Sequence, residues 1–284
     1  MPPILLNKHY TEPSVFTAEN LLREARRQKG VERAHAPRIC VLDPDGDIVR
    51  WLVRTGRAER DPQWACYHTD LYTFTQEEMR LGIVGCAVGA SFAVLVAEEL
   101  FASGCELLIS MTSAGQIVPI ADPPYFVLID RALRDEGTSY HYLPPAEFSH
   151  LAPGFLSMFE KVMARTPVPI YRGATWTTDA PFRETASAIA YCRELGLMGA
   201  EMEAAALYAF AEARQHPLVC LAHVTNRMAR REGDFEKGIA GGSQDALRVV
   251  TLIAHAWISD QSTGGHTPRA GMATPGTDSH ACEA

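Results

Sequence analysis

The chain has 284 residues, 47% of them hydrophobic and 21% charged, with a formal net charge of −8. This is the composition of a globular protein with enough apolar material for one large domain or two small ones. The negative charge argues against nucleic-acid partners and anionic membranes, because proteins that bind phosphate backbones present positive faces.

The seven cysteines are odd in number, and no two have CxxC spacing. They therefore predict neither a disulfide framework nor a metal site, and reduced thiols are the simplest interpretation. The most apolar stretch, residues 83–97, is interrupted by Gly85 and Gly89 and is shorter than the roughly 20 residues that a bilayer span needs. The N-terminal residues do not resemble a signal peptide. We expect a cytoplasmic protein with no membrane partner.

Short apolar runs and glycine turns predict an α/β domain. From the N-terminus, helices are predicted at residues 18–28 and 91–102 and strands at residues 38–42, 81–87, 106–112 and 125–130. Further along, helices are predicted at residues 146–164, 184–195, 200–215 and 243–258 and strands at residues 170–174 and 218–225. Strand, helix and strand joined by short glycine turns are the signature of a mainly parallel sheet.

Composition divides the chain into three predicted segments. Residues 1–36 are polar and form an N-terminal extension, residues 37–258 form the single domain, and residues 259–284 form a tail. The tail is rich in Ser, Thr, Gly and Pro and has almost no large apolar side chains. It is predicted to be disordered, because it buries too little apolar surface to offset the entropy of ordering.

The segment GAEMEAAALYAFAEA, residues 199–213, places Glu201 and Glu203 at the start of a predicted helix that is apolar on most faces. Such a helix is buried, and a carboxylate at its mouth needs a partner or a cavity, because burying an isolated charge is costly. One interpretation is a binding site for a polar ligand. The alternative is that both acids only complement the positive end of the helix dipole.

Small or polar residues follow four of the predicted strands. Gly89 lies in the turn after one strand, at the start of a helix whose free N–H groups suit an anion, and Ser113 ends the next strand. Phe182 follows a later strand, and Asn226 and Arg227 end the last one. Each also fits a plain turn or a packing role. Because ligands bind beyond the carboxyl ends of strands in such sheets, these residues together predict one cleft.

An ordered set of motifs runs along the chain. They are VLDPDG at residues 41–46, TSAGQI at 112–117, HYLPPAEF at 141–148, WTTDAPFRE at 176–184, GAEMEAAALY at 199–208 and TNRM at 225–228. In this order they resemble the motifs of the nucleoside phosphorylase and uridine phosphorylase family, from about residue 39 to residue 257. The resemblance implies a three-layer α/β/α fold with a mixed, mainly parallel, barrel-like central sheet. It also implies a homo-oligomer: a dimer, a trimer or a hexamer.

The family's reaction is the attack of phosphate on the anomeric carbon of a nucleoside, which releases the free base and a pentose 1-phosphate. The resemblance implies a pentosyltransferase that takes a nucleoside and inorganic phosphate and needs no metal or other cofactor. Glu203 would be catalytic on the ribose hydroxyls, and Asn226 would be catalytic on the base. Substrate-binding roles are implied for Glu201, Met202, Phe182 and Arg227, and phosphate-binding roles for Gly89 and Ser113.

The phosphate site departs from the family pattern. Ser110 and Gly46 stand where phosphorylases of the family carry arginines that grip phosphate. Three functions therefore stay open: phosphorolysis, hydrolysis by a nucleosidase on the same fold, and nucleoside binding with little turnover. The base stays open as well, because Asn226 and Arg227 resemble the uridine enzymes while the residues after Phe182 do not match their uracil-reading loop.

Overall fold

Strands and helices alternate along most of the chain in the computed structural model, which describes residues 2–163, 166–228 and 232–262. The strands are β1 (Ile39–Asp43), β2 (Ala58–Arg60), β3 (Leu71–Gln76), β4 (Met79–Gly85), β5 (Leu107–Gln116), β6 (Tyr125–Asp135), β7 (Phe148–His150), β8 (Ile170–Thr178), β9 (Gly199–Glu201) and β10 (Leu218–Asn226). The α-helices are α1 (Ala18–Lys29), α2 (Asp47–Arg54), α3 (Ala90–Ala102), α4 (Pro153–Met163), α5 (Ala186–Glu194), α6 (Ala204–Arg214) and α7 (Ser243–Ser262).

Five of the strands close on themselves into a barrel-like ring. β10 pairs with β5 in parallel and with β6 in the antiparallel sense, and β6 pairs with β8 in parallel. β9 completes the ring, since it runs parallel to β8 and antiparallel to β5. From β5 the sheet continues outward through β1, β4, β3 and β2, and β7 lies beside β6. The predicted α/β fold with a mixed, barrel-like sheet is therefore confirmed.

The helices fall into packed groups that flank the sheet. α3 contacts both α1 and α6, while α7 contacts both α2 and α4. Tyr208 fixes α6 against the ring: its hydroxyl donates a hydrogen bond to the carbonyl oxygen of Ile129 on β6 and accepts one from the N–H of Cys220 on β10. Because Tyr208 is fully buried, these bonds hold the start of α6 at a defined place beside the strand ends.

Two predicted helices begin later in the structure than the sequence indicates. The helix predicted at residues 200–215 starts at Ala204, because Gly199–Glu201 pairs with β5 and β8 as strand β9. The helix predicted at residues 146–164 starts at Pro153, because Phe148–His150 pairs with β6 as strand β7. Proline fits the first turn of a helix, where its missing N–H is not needed.

The structure also differs from the prediction after β1, where the chain turns into a helix, α2, that the sequence does not predict. Gly46 has a φ of 76°, in the left-handed region that favours glycine, and it lets the chain reverse into α2. The Asp43 carboxylate then accepts a hydrogen bond from the N–H of Val49 (2.9 Å), which caps the new helix. The chain thus carries Asp45 over the carboxyl end of the sheet.

The C-terminal helix is longer than predicted. α7 continues to Ser262, past residue 258 where the predicted domain ends. The rest of the predicted disordered tail, residues 263–284, lies outside the described residues, and the three-segment division stays a prediction. No helix within the described ranges is both long and apolar enough to cross a membrane.

Candidate functional site

The carboxyl ends of several ring strands meet at one place. Ser113 of β5 lies beside His223 of β10 in the sheet, and Thr177 of β8 lies beside Glu201 of β9. The turn between β4 and α3 reaches the same place, because the N–H of Gly89 donates to the side chain that follows β9. This is the edge of the sheet at which the sequence predicts a cleft.

Glu203 lies at the centre of this region. It is the residue just before α6 and is only 1% exposed. Its Oε1 accepts a hydrogen bond from the N–H of Gly89 (2.7 Å), and its Oε2 accepts one from the hydroxyl of Thr112 (2.7 Å). Burial raises the pKa of Glu203 above its usual range, and the charge of Glu201 raises it further. The carboxylate is therefore fixed from two sides and does not point into bulk water.

The turn that binds Glu203 requires glycine. Gly89 has a φ of 92°, a conformation that a residue with a Cβ atom rarely adopts. This conformation lets its N–H point at the carboxylate while α3 starts at the next residue. The start of a helix favours a negative group, so the Glu203 carboxylate occupies the position that the sequence assigns to a bound anion.

Glu201, two residues earlier, is bonded to the chain through both of its oxygens. Its Oε2 accepts hydrogen bonds from the N–H groups of Glu203 and Ala204, both at 2.8 Å, and so caps α6. Its Oε1 accepts the hydroxyls of Thr175 and Thr177. These four donors use the lone pairs of a carboxylate. The alternative interpretation, an acid that complements a helix start, describes Glu201. The predicted substrate-binding role of Glu201 would need one of these bonds to break.

The loop between β1 and α2 places Asp45 against Ser113. The N–H of Ser113 donates to Oδ2 of Asp45 (2.8 Å), and its hydroxyl donates to Oδ1 (3.0 Å). Asp45 is half-buried, so its remaining lone pairs are accessible. Gly89 and Ser113, the two positions predicted to bind phosphate, thus share one site, but each donates to a carboxylate of the chain itself.

Two positions at which the related phosphorylases carry arginine, and this chain does not, lie close to this loop. Ser110 is buried on β5, and Gly46 forms the turn before α2. Arg50, in the first half of α2, is the nearby cation. Its guanidinium donates to the carbonyl oxygen of Asp45 (2.6 Å) and to the carboxylate of Asp47 (3.0 Å). The arginine of this loop is therefore already engaged in holding the loop together.

The residues predicted to bind the base end β10. Asn226 is 8% exposed; its Oδ1 accepts the N–H of Met228 (2.8 Å), and its amide nitrogen donates to the hydroxyl of Thr225 (3.2 Å). Arg227 forms an ion pair with Asp122. Asn226 is therefore at the strand ends as predicted, whereas the guanidinium of Arg227 is directed to a surface aspartate.

The two remaining predicted contacts differ in their surroundings. Met202 is half-buried and directly precedes Glu203, to which its N–H donates (3.3 Å). Phe182 lies in a short 3-10 helix, Pro181–Arg183, and is 99% exposed. The structure therefore brings Met202 next to the buried acid and leaves the Phe182 ring without protein packing. The proposed roles of both side chains stay predictions.

Several residues of the site are not predicted as functional from the sequence. Thr112 belongs to the TSAGQI motif, but its bond to Glu203 spans 91 positions. Asp45 belongs to the VLDPDG motif, and the alternation of Asp43, Asp45 and Asp47 around a turn is the signal that could have identified an acidic loop. Within the part of the chain that the structure describes, no group of three or more His, Cys, Asp or Glu side chains is arranged to hold a metal ion.

The chain matches a known protein family in sequence and several solved structures in fold. The sequence profile of the phosphorylase superfamily matches residues 38–255. A solved uridine phosphorylase from Vibrio fischeri ES114 superposes with a TM-score of 0.65 at 18% identity, over 88% of this chain and 99% of that one. An AMP nucleosidase from Bacteroides thetaiotaomicron superposes with a TM-score of 0.65 at 16% identity, over 87% of this chain and 100% of that one.

A third solved structure is more distant in sequence. The purine nucleoside phosphorylase from Toxoplasma gondii, in complex with immucillin-H, has a TM-score of 0.65 at 14% identity, over 80% of this chain and 93% of that one. At such identities the likeness shows the fold alone. No curated protein sequence matches the chain.

Proposed function

Because the chain belongs to the phosphorylase superfamily, we propose that it is an enzyme that breaks the N-glycosidic bond of a nucleoside. The observation that carries this proposal is the buried carboxylate of Glu203, held by Gly89 and Thr112 at the carboxyl ends of the ring strands. Cleavage leaves the electron pair of the bond on the base and positive charge on the sugar. A fixed carboxylate at the sugar hydroxyls favours that charged state.

The raised pKa of Glu203 agrees with a role in binding hydroxyl groups. Burial disfavours the ionised form of this side chain. Hydroxyl groups of a sugar donate hydrogen bonds, and donors favour the ionised form of a carboxylate. Sugar binding and ionisation of Glu203 therefore support each other. Asn226, at the end of β10, would hydrogen-bond the departing base through its amide group.

We propose further that water, and not phosphate, attacks the anomeric carbon of the sugar. Both donors of Ser113 are bonded to the Asp45 carboxylate, and the N–H of Gly89 is bonded to Glu203. A phosphate would have to displace both side chains from these donors, and the Asp45 carboxylate carries the same sign of charge as phosphate. Asp45 keeps lone pairs that can accept a proton, so it is the candidate general base.

The hydrolytic step balances as follows in atoms and electrons. The oxygen of an attacking water forms a bond to the anomeric carbon, and one proton of that water passes to Asp45. The N-glycosidic bond breaks, and its electron pair leaves with the base, which takes up a proton from solvent. The products are the free base and a pentose.

Phosphorolysis to the free base and pentose 1-phosphate is the second candidate, and one observation favours it. The side chain of Arg50 is 58% exposed and donates to the backbone of the Asp45 loop. A guanidinium binds phosphate well, so a movement of this loop would bring a cation to Ser113. In that case the enzyme would be a pentosyltransferase with inorganic phosphate as its co-substrate.

An assay of purified protein on a panel of purine and pyrimidine nucleosides, with and without phosphate, tests both candidates. Run in ¹⁸O-labelled water, hydrolysis predicts base release at the same rate without phosphate and ¹⁸O on the sugar. Phosphorolysis predicts pentose 1-phosphate and no release without phosphate. Glu203→Gln serves as the control for contaminating activity. Absence of turnover on any nucleoside, with nucleoside binding retained, would instead indicate a binding protein.

We also propose that the enzyme is a cytoplasmic homo-oligomer. The described cysteines, Cys40, Cys66, Cys86, Cys105, Cys192 and Cys220, are all free thiols, and thiols persist in reducing compartments. The fully exposed ring of Phe182 supports either a subunit contact or a contact with the base. Light scattering during size-exclusion chromatography would give the oligomer size, and a monomer would contradict the proposal.

A further inference from the structure

A small polar cavity lies behind the Asp45 carboxylate, between the strand ends and the starts of α2 and α7. Its volume is about 20 Å³. Its polar lining includes the side chains of Asp43, Asp45, Asp47, Ser113, His223 and Lys237. One water needs about 10–15 Å³ and two to four polar partners. The cavity is therefore large enough for one water.

His223 is the side chain of this cavity whose polar atoms lack a protein partner. Its ring stacks on Phe126, with centroids 4.5 Å apart and planes at 12°, and the side chain is 8% exposed. No hydrogen bond joins the imidazole to any other residue of the described ranges. A water in the cavity would give the imidazole the hydrogen-bond partner that the protein does not supply.

The other charged groups of the cavity are already paired. Asp47 forms an ion pair with Lys237 and a second with Arg50. Asp43 accepts the N–H of Val49 and caps α2. Asp45 accepts only the two donors of Ser113 among the described residues, so its oxygens keep capacity for further donors.

His223 is a neutral imidazole at physiological pH. Burial lowers the pKa of His223 to about 4, and the charge of Lys237 lowers it further, while the three aspartates Asp45, Asp47 and Asp245 oppose that shift. A neutral ring carries one N–H and one free lone pair. It can accept a proton from a neighbouring donor, and its low pKa makes it release that proton readily.

We propose that His223 removes the proton from Asp45 through one ordered water in this cavity. The inference rests on the hydrolytic function proposed above. Asp45, protonated by the attacking water, gives that proton to the cavity water. The cavity water gives one of its own protons to the free nitrogen of His223, which passes it to solvent. Asp45 is restored as a carboxylate, and no atom is gained or lost.

Two substitutions at His223 test this role in the full-length protein. His223→Ala removes the ring and leaves space for added imidazole, while His223→Gln keeps hydrogen-bonding groups but cannot carry the proton. We expect kcat to fall about tenfold or more in both, with KM nearly unchanged, and added imidazole to restore kcat in His223→Ala. His216→Ala is the matched control, because His216 also stacks on a phenylalanine and also has a pKa lowered by burial.

Three outcomes would overturn the proposal. They are a kcat within twofold of wild type in both variants, a loss that imidazole does not restore, and an equal loss in the His216 control. A crystal structure of the wild-type protein gives a readout that does not depend on activity. It should show a water within hydrogen-bond distance of both His223 and Asp45, and an empty cavity would refute the relay. Failure of the wild-type protein to cleave any nucleoside would instead refute the proposed function itself.

Discussion

Two acidic segments meet at the site, the β9–α6 junction and the β1–α2 loop, and they differ in how completely the chain already binds their carboxylates. At the junction, Glu201 and Glu203 are at most 3% exposed, and every oxygen accepts at least one hydrogen bond from the protein. In the loop, Asp45 is half-exposed and has lone pairs to spare. The buried pair is suited to fixing geometry, and the loop acid is suited to exchanging protons.

The largest effect is expected at the junction. Glu203→Gln should lower kcat/KM by about 100- to 1000-fold, because an amide cannot stabilise positive charge on the sugar as a carboxylate does. The change is isosteric, and the new amide can donate to the hydroxyl oxygen of Thr112, so the thermal unfolding midpoint should move little. Steady-state kinetics and thermal unfolding of the same preparation measure both quantities. Unchanged activity would remove Glu203 from the mechanism and with it the contrast between the two segments.

The loop acid is expected to give the next largest effect. Asp45→Asn should lower kcat about 100-fold, because the general base is lost, while KM changes little. Asp45→Ser should in addition make the reaction respond to phosphate, since both donors of Ser113 become free for an anion. Initial rates against phosphate concentration measure this response. The control is Asp70→Asn, at an exposed aspartate paired with Arg60. A wild-type rate in Asp45→Asn would contradict the assignment of the base.

Glu201→Gln separates structure from chemistry at the junction. The amide nitrogen of glutamine would face donors in place of an acceptor, so we expect the free energy of unfolding to fall by about 1–3 kcal/mol. The loss of kcat should be smaller than in Glu203→Gln, since Glu201 acts on the backbone of α6. Urea unfolding measures the stability, with the exposed Glu59→Gln as control. A loss of kcat that is larger than the loss of stability can explain would favour the substrate-binding role predicted for Glu201 from the sequence.

Per pH unit, the smallest effect is expected in the pH dependence of stability. Burial raises the pKa of Asp43 from 3.8 to about 7. Between these values the folded protein holds a proton that the unfolded chain releases, so stability falls as pH rises through this window, by at most about 1.4 kcal/mol per pH unit. Asp43→Asn should flatten that slope and still cap α2. Urea unfolding from pH 5 to pH 8 measures it, and an unchanged slope would mean that Asp43 is ionised throughout.

The fold was predictable where local pattern and tertiary pairing agree. The helix predicted at residues 91–102 differs from α3 by one residue at its start, and the strand predicted at residues 218–225 differs from β10 by one residue at its end. Glu201 was misplaced because GAEMEAAALY has the composition of a helix throughout. The strand conformation of β9 depends on the pairing of Ala200 with Gly115 and of Glu201 with Thr177, and both partners are distant in sequence.

The sequence allowed us to predict at which edge of the sheet the candidate site lies, but not which hydrogen bonds its residues form. The positions of Gly89 and Ser113 after predicted strands and the motif that contains Glu203 pointed to one cleft, and the structure has all three residues at the strand ends. That Asp45 binds Ser113 could not be predicted, because the contact joins residues 68 positions apart and depends on the unpredicted turn into α2. The solvent-exposed position of Phe182 likewise depends on how its loop leaves β8, which periodicity does not encode.

The ring of strands is completed by only three residues, Gly199–Glu201, and the buried carboxyl group of Glu203 follows two positions later. A Cβ atom at Gly199 would lie 3.1 Å from the carbonyl oxygen of Gly115, so neighbouring backbones approach there as closely as glycine allows. If Glu203 acts as proposed, we expect the reaction rate to be sensitive to Gly199, a residue outside the proposed substrate contacts. Among proteins of this fold, activity could therefore diverge through substitutions at β9, the strand that closes the ring, before any residue of the pocket has changed.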